Sequence, residues 1–324
     1  MTSKSEATAL LNKYGNTKTP FNFYCDFLAE RWCIQRIDQA PETAFQLAIS
    51  EEAKKYQLGV DSQQVLLEKF PIPYQEFKLT FDKILHQINI GNSFLTNLTF
   101  QTPIEIDLSL IEIFERSTAK YKLHVPDQFV VFSPETFVRT QDDNIYSYPM
   151  KGTIDASLPK AEETILTDPK EIAEHVTIVD LIRNDLSHVA DEVSVSRFRY
   201  IEEIKTKGKT LLQVSSEVKG KLETGWQKDL GYILCKLLPA GSISGAPKAE
   251  TLRIITEIED YDRNFYTGIC GQFDGENLDT GVMIRFIKED HAQFLYCSGG
   301  GITAFSDPEK EYQEMINKIY LPLQ

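Results

Sequence analysis

Residues 266–305 read YTGICGQFDGENLDTGVMIRFIKEDHAQFLYCSGGGITAF, and this stretch decides the fold class. It contains three runs of strand-like composition, 266–275, 278–290 and 292–305, which are separated by short segments with turn residues. Strands joined by such short turns pair antiparallel, because a parallel pair needs a crossover of about a dozen residues or more. The stretch therefore predicts an antiparallel sheet.

The rest of the chain adds strands and unevenly placed helices. Residues 93–101 and 210–222 have strand patterns, and 127–154 predicts a hairpin with its turn at QDDN, 141–144. Helical spacing and capping residues predict helices at 76–91, at 107–121 with Asp107 or Ser109 as N-cap, and at 168–190, 228–238, 247–260 and 307–319. This order predicts an α+β fold with antiparallel sheets rather than a βαβ repeat.

The composition limits the location and the partners of the protein. The chain has 324 residues and a formal net charge of −14, and such an acidic surface repels phosphate backbones, so we expect no nucleic-acid partner. Its five cysteines are scattered without a CxxC pair, which indicates neither a disulfide framework nor a zinc site. The N-terminus lacks the apolar core of a signal peptide, and no apolar run reaches about 18 residues. We therefore expect a cytoplasmic protein without a membrane partner.

Two acidic helices carry the first candidate site. Glu171 and Glu174 lie at positions i and i+3 of one predicted helix, and Glu311 and Glu314 have the same spacing in another. This spacing puts each pair on one helical face. Two facing carboxylate pairs repel unless a cation lies between them, and Mg²⁺ suits oxygen ligands and an anionic substrate. The alternative is two solvated helix faces, because glutamate is mostly exposed.

Glycine-rich segments and two cations form a possible anion site. The run PAGSISGAPK, 239–248, leads into a predicted helix whose first turn contains Pro247, and SGGGI, 298–302, follows a strand. Such segments let backbone N–H groups approach an anion, although both are also compatible with flexible turns. Arg285, in a predicted strand, and Lys318, one turn after an acidic pair, add positive charge. The alternative for Arg285 is a surface position on an alternating strand.

A lysine, Lys151, precedes a Gly-Thr pair in the run YPMKGT, 148–153. Glu135 lies 16 residues earlier, on the partner strand of the predicted hairpin, so a turn near 142–144 would bring the two to neighbouring positions. A carboxyl group and an amine in one pocket can serve as acid and nucleophile. The alternative is a cross-strand salt bridge of small energetic value.

Seven stretches occur in one order: SPETF, PMKGT, EIAEH with IVDLIRNDL, PAGSISGAPKAET, YTGICGQFDG, GVMIRF and GGGITAFSDPEKEYQEMINK. Over about residues 85–322 the chain resembles the chorismate-utilising enzymes, which include component I of aminodeoxychorismate synthase and of anthranilate synthase, isochorismate synthase and salicylate synthase. The resemblance implies their fold, two packed antiparallel β-sheets flanked by helices. It also implies a shortened N-terminal region, 1–75, and a chorismate-binding catalytic region, 76–324, in one compact domain.

The resemblance assigns roles to the candidate residues. It implies Mg²⁺ ligands at Glu174 and Glu314, assisted by Glu171 and Glu311, with the metal holding the ring carboxylate of chorismate. It implies Glu135 as the general acid for departure of the ring 4-hydroxyl, with a pKa raised by burial. The substrate-binding residues that it implies are Gly152, Thr153, Ser244, Tyr266, Arg285, Gly299, Gly300, Gly301 and Lys318.

Lys151 decides which reaction the resemblance implies. Aminodeoxychorismate synthases resemble P-I-K-G-T here, whereas anthranilate and salicylate synthases have alanine before Gly-Thr. The resemblance implies that Lys151 attacks ring C2 as the 4-hydroxyl leaves, and that ammonia then attacks C4 and displaces the lysine. The product would be 4-amino-4-deoxychorismate, on the route to 4-aminobenzoate and folate. Because the attacking amine must be neutral, we expect a depressed pKa at Lys151.

Two positions depart from the pattern of the family: Leu95 stands where amine-adding relatives often have Gln, and Gln213 stands where many relatives have His. Leu95 also stands where water-adding relatives have a lysine base, which argues against isochorismate or salicylate synthesis. The family implies a separate glutamine amidotransferase subunit as the ammonia source, with free ammonia as its substitute. With a short N-terminal region, we expect no tryptophan regulation. The alternatives are anthranilate synthase component I, and a non-catalytic chorismate-binding paralogue, against which the complete set of five glutamates argues.

Overall fold

The computed structural model describes residues 1–39, 44–50, 65–206 and 209–323. The predicted N-terminal region, residues 1–75, therefore lies partly outside the described residues. Within these ranges, no helix is long and apolar enough to cross a lipid bilayer.

Four of the described helices begin at a side-chain cap that the sequence carries. In the described ranges the helices are α1 (Lys4–Asn16), α2 (Tyr74–Asn89), α3 (Leu110–Arg116), α4 (Ala161–Thr167), α5 (Pro169–Leu186), α6 (Leu230–Leu237), α7 (Gly241–Ser244), α8 (Lys248–Ile258) and α9 (Pro308–Asn317), with 3₁₀ turns at Ile37–Gln39 and Trp226–Asp229. Ser109, rather than Asp107, caps α3 in a capping box with Glu112. Asp168 and Asp307 accept hydrogen bonds from the first-turn N–H groups of α5 and α9, which fixes where the two acidic helices begin.

The described strands form two sheets. They are β1 (Thr2–Ser3), β2 (Phe21–Cys25), β3 (Arg31–Arg36), β4 (Gln46–Ile49), β5 (Leu67–Lys69), β6 (Leu95–Ile106), β7 (Tyr121–Val125), β8 (Phe129–Ser133), β9 (Thr136–Gln141), β10 (Asn144–Ser147), β11 (Met150–Asp155), β12 (Asp191–Thr206), β13 (Lys209–Lys221), β14 (Gly245–Ala246), β15 (Ile269–Phe273), β16 (Leu278–Val282), β17 (Phe286–Asp290) and β18 (Gln293–Ile302). Sheet A has the order β1-β3-β2-β15-β16-β9-β10-β13-β11, with β12 paired to β13. Sheet B has the order β14-β6-β18-β17-β8-β7-β4, with β5 paired to β6.

Strand pairing within the described residues is antiparallel throughout both sheets. An aromatic core joins sheet A to sheet B. Tyr24 of β2 lies edge-on to Phe129 of β8 with ring centroids 5.8 Å apart, and Phe129 stacks on Phe286 of β17 at 4.7 Å. Burial of each such ring contributes about 1.5–3 kcal/mol to folding, so this layer holds the sheets face to face. The predicted α+β fold, two packed antiparallel sheets flanked by helices, is confirmed.

Two chain crossings between the sheets lie side by side. β8 of sheet B continues through Pro134 and Glu135 into β9 of sheet A, while β16 of sheet A continues through Arg285 into β17 of sheet B. The Val282 N–H donates to the Glu135 carbonyl at 3.0 Å, and the Phe132 N–H donates to the Arg285 carbonyl at 3.1 Å. These bonds place Glu135 and Arg285 together at the junction of the two sheets.

The crossings correct three sequence predictions. The hairpin is confined to β9 and β10, with its turn at Asp142 and Asp143, because the chain has already changed sheet at Glu135. Lys151 lies on β11, which pairs with β13, so Glu135 and Lys151 are not cross-strand partners. The strand predicted over 278–290 also divides, because Arg285 adopts a φ of 55° that interrupts the extended backbone.

Two further boundaries differ from the predictions. Tyr266 lies in the turn before β15 rather than inside the strand, and Pro247 is the N-cap of α8 rather than part of its first turn. No sequence prediction covered the elements α1, α4 and β12. The long hairpin of β12 and β13 extends sheet A beside α5, which packs against both strands and against β11.

Candidate active site

A cavity of about 550 Å³ lies where the two crossings meet β11, β18, α5 and α9. This volume is in the range of small-molecule sites, roughly 300–1,000 Å³. The predicted site residues that line it are Glu135, Lys151, Gly152, Thr153, Glu171, Glu174, Tyr266, Arg285, Gly299, Gly300, Gly301, Glu314 and Lys318. The structure therefore brings together residues that are up to 183 positions apart in the sequence, since the set runs from 135 to 318.

Glu135 is half-buried and opens onto the cavity. The hydroxyl group of Ser242, on α7, donates a hydrogen bond of 2.8 Å to its Oε1. Burial raises the pKa of Glu135 above its ordinary value, although the Ser242 hydrogen bond and the charges of Arg285 and Lys318 partly oppose this. A carboxyl group with a raised pKa can retain a proton for donation, which is the property a general acid needs.

Lys151 projects from β11 toward the acidic face of α5. Its Nζ lies 2.8 Å from Glu174 Oε2. Burial by itself would lower the pKa of Lys151, but the carboxylates of Glu174, Glu314 and Glu171 outweigh it and raise the pKa. The expectation of a depressed pKa is therefore wrong for this arrangement, because the amine is held as an ammonium by an ion pair.

Glu171 lies directly against the backbone of Gly152. Gly152 has a φ of +91°, a conformation that favours glycine, and a Cβ atom there would lie 2.7 Å from Glu171 Oε2, so it would push the Glu171 carboxylate aside. Glu171 Oε2 is buried and has no hydrogen-bond partner among the residues that the structure describes. Burial raises the pKa of Glu171, with Glu174 and Asp168 adding to the effect and Lys151 opposing it.

The second acidic pair lies on α9 beside the glycines of β18. Lys318 Nζ lies 2.7 Å from Glu314 Oε1 and donates to the Gly299 carbonyl at 2.7 Å. Burial would raise the pKa of Glu314, but Lys318 outweighs it and the pKa is lowered. Glu311 does not line the cavity, because its Oε1 accepts a hydrogen bond of 2.8 Å from Ser306 at the rim. Burial raises its pKa, and repulsion by Glu314 adds to this.

Arg285 supplies positive charge without a counter-charge. No carboxylate of the described residues forms an ion pair with it, and its Nε is buried without a hydrogen-bond partner. Its guanidinium group lies 5.4 Å from the ring centroid of Tyr320, which lies beyond the end of α9. Tyr266 is buried at the same wall of the cavity. This arrangement leaves the guanidinium available to an anionic ligand.

Ser244 is a correction to the predicted site. It is fully buried outside the cavity lining, and its hydroxyl donates to the Ala240 carbonyl at 2.9 Å within α7. The hydroxyl group that lines the cavity at this wall belongs to Ser242, which was not among the residues predicted from the sequence. The run PAGSISGAPK contains both serines, Ser242 and Ser244. Which of the two hydroxyl groups faces the cavity depends on the single helical turn of α7.

The acidic set fits a hard divalent cation by its chemistry. Carboxylate oxygens are the ligands that Mg²⁺ prefers, and the orphaned Glu171 Oε2 is a buried acceptor that a cation would satisfy. Across the described residues, however, no three acidic, histidine or cysteine side chains converge on one point. Oxygens of Glu174 and Glu314 are turned to Lys151 and Lys318 instead.

The sequence profile of the chorismate binding enzymes matches residues 13–324. An uncharacterized PabA-like protein of Pasteurella multocida is 47% identical over 313 residues, which cover 96% of this chain and 97% of that protein. Anthranilate synthase component 1 of Leptospira biflexa is 32% identical, covering 84% of this chain and 61% of that protein. Aminodeoxychorismate synthase component 1 of Bacillus subtilis is 30% identical, covering 89% and 65% respectively. The menaquinone-specific isochorismate synthase of Escherichia coli has the same fold, with a TM-score of 0.72 at 15% identity over 98% of this chain and 81% of that chain.

Proposed function

The chain belongs to the family of chorismate binding enzymes, and we propose that it is component I of aminodeoxychorismate synthase, which replaces the 4-hydroxyl group of chorismate with an amino group. The observation that carries this proposal is the position of Lys151. Its side chain enters the same cavity as Glu135 and Arg285, so a nucleophile, an acid and an anion-binding group are available to one substrate.

The charges of the cavity suit a dicarboxylate such as chorismate. Among the described residues that line the cavity, Arg285 is the cation that forms no ion pair with a carboxylate. Together with Tyr266 and the Gly301 backbone, it would hold the enolpyruvyl carboxylate. Lys318 and the backbone of Gly152 and Thr153 would assist at the ring carboxylate. Bound by Glu171, Glu174 and Glu314, with Glu311 at the rim, Mg²⁺ would supply the positive charge that neutralises this second carboxylate.

The proposed reaction has two displacement steps. The neutral Lys151 amine forms a bond to ring C2, the two conjugated ring double bonds shift, and the C4–O bond breaks as Glu135 donates a proton to form water. Ammonia then forms a bond to C4 and gives a proton back to Glu135, both double bonds shift back, and the C2–N bond to Lys151 breaks. The enolpyruvyl group is retained, so chorismate and ammonia give 4-amino-4-deoxychorismate and water.

Ammonia would come from a glutamine amidotransferase subunit, as proposed from the family resemblance. With an ammonium salt at a pH that gives free ammonia, the chain alone should catalyse the amination. The product would lead, through the action of a lyase, to 4-aminobenzoate and folate.

Product analysis tests this proposal. The purified chain is incubated with chorismate, MgCl₂ and ammonium chloride, with and without an added aminodeoxychorismate lyase, and the products are separated and identified by mass. We expect 4-aminobenzoate only in the presence of the lyase, and loss of product in Lys151→Ala but not in Lys170→Ala, whose lysine carries the same charge on the neighbouring helix. Formation of anthranilate would instead assign the activity of the Leptospira biflexa relative. Binding of chorismate without any product would support a non-catalytic paralogue.

A further inference from the structure

The ion pair of Lys151 and Glu174 conflicts with the nucleophilic role proposed for Lys151. The two groups lie 2.8 Å apart, and the Glu174 side chain is only 12% exposed. Its other oxygen, Oε1, lies 3.6 Å from Lys170 Nζ. Both oxygens of Glu174 therefore face ammonium groups, although this carboxylate is also a proposed metal ligand.

Lys151 acts as a counter-charge for the whole acidic set. Its ammonium group interacts electrostatically with Glu171, Glu174 and Glu314, and it also acts on Glu311. Of these contacts, the one with Glu174 is a direct ion pair. Four carboxylates on two facing helices would repel one another without such a cation. Lys151 thus supplies, together with Lys318 at Glu314, positive charge that a divalent cation would supply in the same place.

The arrangement of the glutamates is consistent with Lys151 occupying the place of a cation. Glu171 and Glu174 lie on one face of α5, yet Glu171 Oε2 stays buried and unpaired while Glu174 is turned to Lys151. A single cation could contact both carboxylates only if Glu174 gave up its lysine.

We propose that Lys151 and the divalent cation compete for Glu174, so that metal binding displaces the Lys151 side chain from its ion pair into the cavity. This inference rests on the magnesium site of the proposed function. Metal binding and release of the Lys151 amine would then be coupled. Lys151 would remain in its ion pair with Glu174 until the metal binds. The cost of breaking the ion pair should weaken the affinity of the wild-type chain for the metal.

The test is calorimetric titration of the full chain with MgCl₂ alone, repeated with Mn²⁺ by electron paramagnetic resonance. Lys151→Met removes the charge and retains the length of the side chain, and Lys151→Gln is a second neutral variant if the first does not fold. We expect either neutral variant to bind the metal about tenfold more tightly than the wild type. Lys151→Arg, which keeps the cation, should bind no more tightly than the wild type.

Lys170→Met is the matched control. It also removes one positive charge beside Glu174, but the Lys170 ammonium group lies farther from that carboxylate than the Lys151 ammonium group does. We expect its metal affinity to change less than about threefold. Equal tightening in Lys151→Met and Lys170→Met would overturn the proposal in favour of a general charge effect. Unchanged, weaker or undetectable binding in both neutral Lys151 variants would also overturn it. The titration contains no chorismate or ammonia, so its result does not depend on which product the enzyme makes.

Discussion

Ser242 donates a hydrogen bond of 2.8 Å to Oε1 of Glu135. This contact joins α7 to the crossing between the two sheets, and it fixes one oxygen of the proposed general acid at the cavity wall. Helix α7 is itself held from behind, because the buried Arg263 guanidinium donates to the Ile243 carbonyl at 2.9 Å. The orientation of the acid therefore depends in part on Arg263, which does not line the cavity.

The Ser242 contact predicts a change in the pH dependence of turnover. A general acid works when protonated, so activity should fall as the pH rises through the pKa of Glu135. The Ser242 hydroxyl stabilises the ionised carboxylate and lowers this pKa, so Ser242→Ala should raise the pKa and move the falling limb to higher pH. Profiles of kcat/KM against pH measure this shift. Ser244→Ala is the control, since its hydroxyl bonds to the Ala240 carbonyl, and a shift to lower pH in Ser242→Ala would contradict the role.

Arg285 should act mainly in binding the substrate. Arg285→Gln removes the unpaired guanidinium, and we expect KM for chorismate to rise about 10- to 100-fold with a smaller change in kcat. Arg285→Lys should recover only part of this loss, because an ammonium group lacks the forked geometry of guanidinium. Tyr320→Leu, which removes the ring beside the guanidinium, serves as a milder comparison. An unchanged KM in Arg285→Gln would rule out the carboxylate contact.

Gly152 allows a sharp test of the packing beneath the proposed metal site. An alanine Cβ there would meet Glu171 Oε2 at 2.7 Å, whereas one at Gly91 would meet nothing within 4 Å, and both glycines have a similar positive φ of +91° and +86°. Each alanine should cost about 1–2 kcal/mol of stability for the left-handed backbone. Gly152→Ala should in addition displace Glu171 and reduce kcat/KM about 100-fold. Denaturant unfolding and steady-state kinetics separate the two effects, and equal kinetics in both variants would contradict the packing argument.

The buried ion pair of Glu259 and Arg263 should dominate the stability of the cavity wall. Arg263 contacts both oxygens of Glu259, at 2.6 and 2.8 Å, and both side chains are almost fully buried. Glu259→Ala would leave a buried guanidinium without its counter-charge, and we expect a loss of about 3–5 kcal/mol in the free energy of unfolding. Glu250→Ala, which breaks an exposed pair with Arg253, should leave the denaturation midpoint nearly unchanged. Similar losses in the two variants would contradict the burial argument.

The acidic helices were predictable because their information is local. Spacing and caps place Glu171 and Glu174 on one helical face, and the Asp-Pro starts of α5 and α9 fix the register. The two sheet crossings were not predictable in the same way. Arg285 stands in an apolar alternating run that reads as one strand, and only the packing of two sheets makes the chain change sheet there.

The direction of the pKa shift of Lys151 could not be predicted from the sequence, because it depends on which residues surround Lys151 in the fold. The motif indicates a lysine at the site, but the sign of its pKa shift follows from three carboxylates on other elements. Ser242 and Ser244 differ in the same way, since one turn of α7 decides which hydroxyl group reaches Glu135. Residue types were therefore readable from the sequence, whereas the partners of each charged group required the folded chain.

The most direct test of the central claim is the position of the new C–N bond. The chain is supplied with chorismate, MgCl₂ and ¹⁵N-labelled ammonium chloride, and the product is examined by two-dimensional nuclear magnetic resonance. We predict that the label is bonded to ring C4 and that the enolpyruvyl group is retained. A label on ring C2, or release of pyruvate with formation of anthranilate, would contradict the assignment.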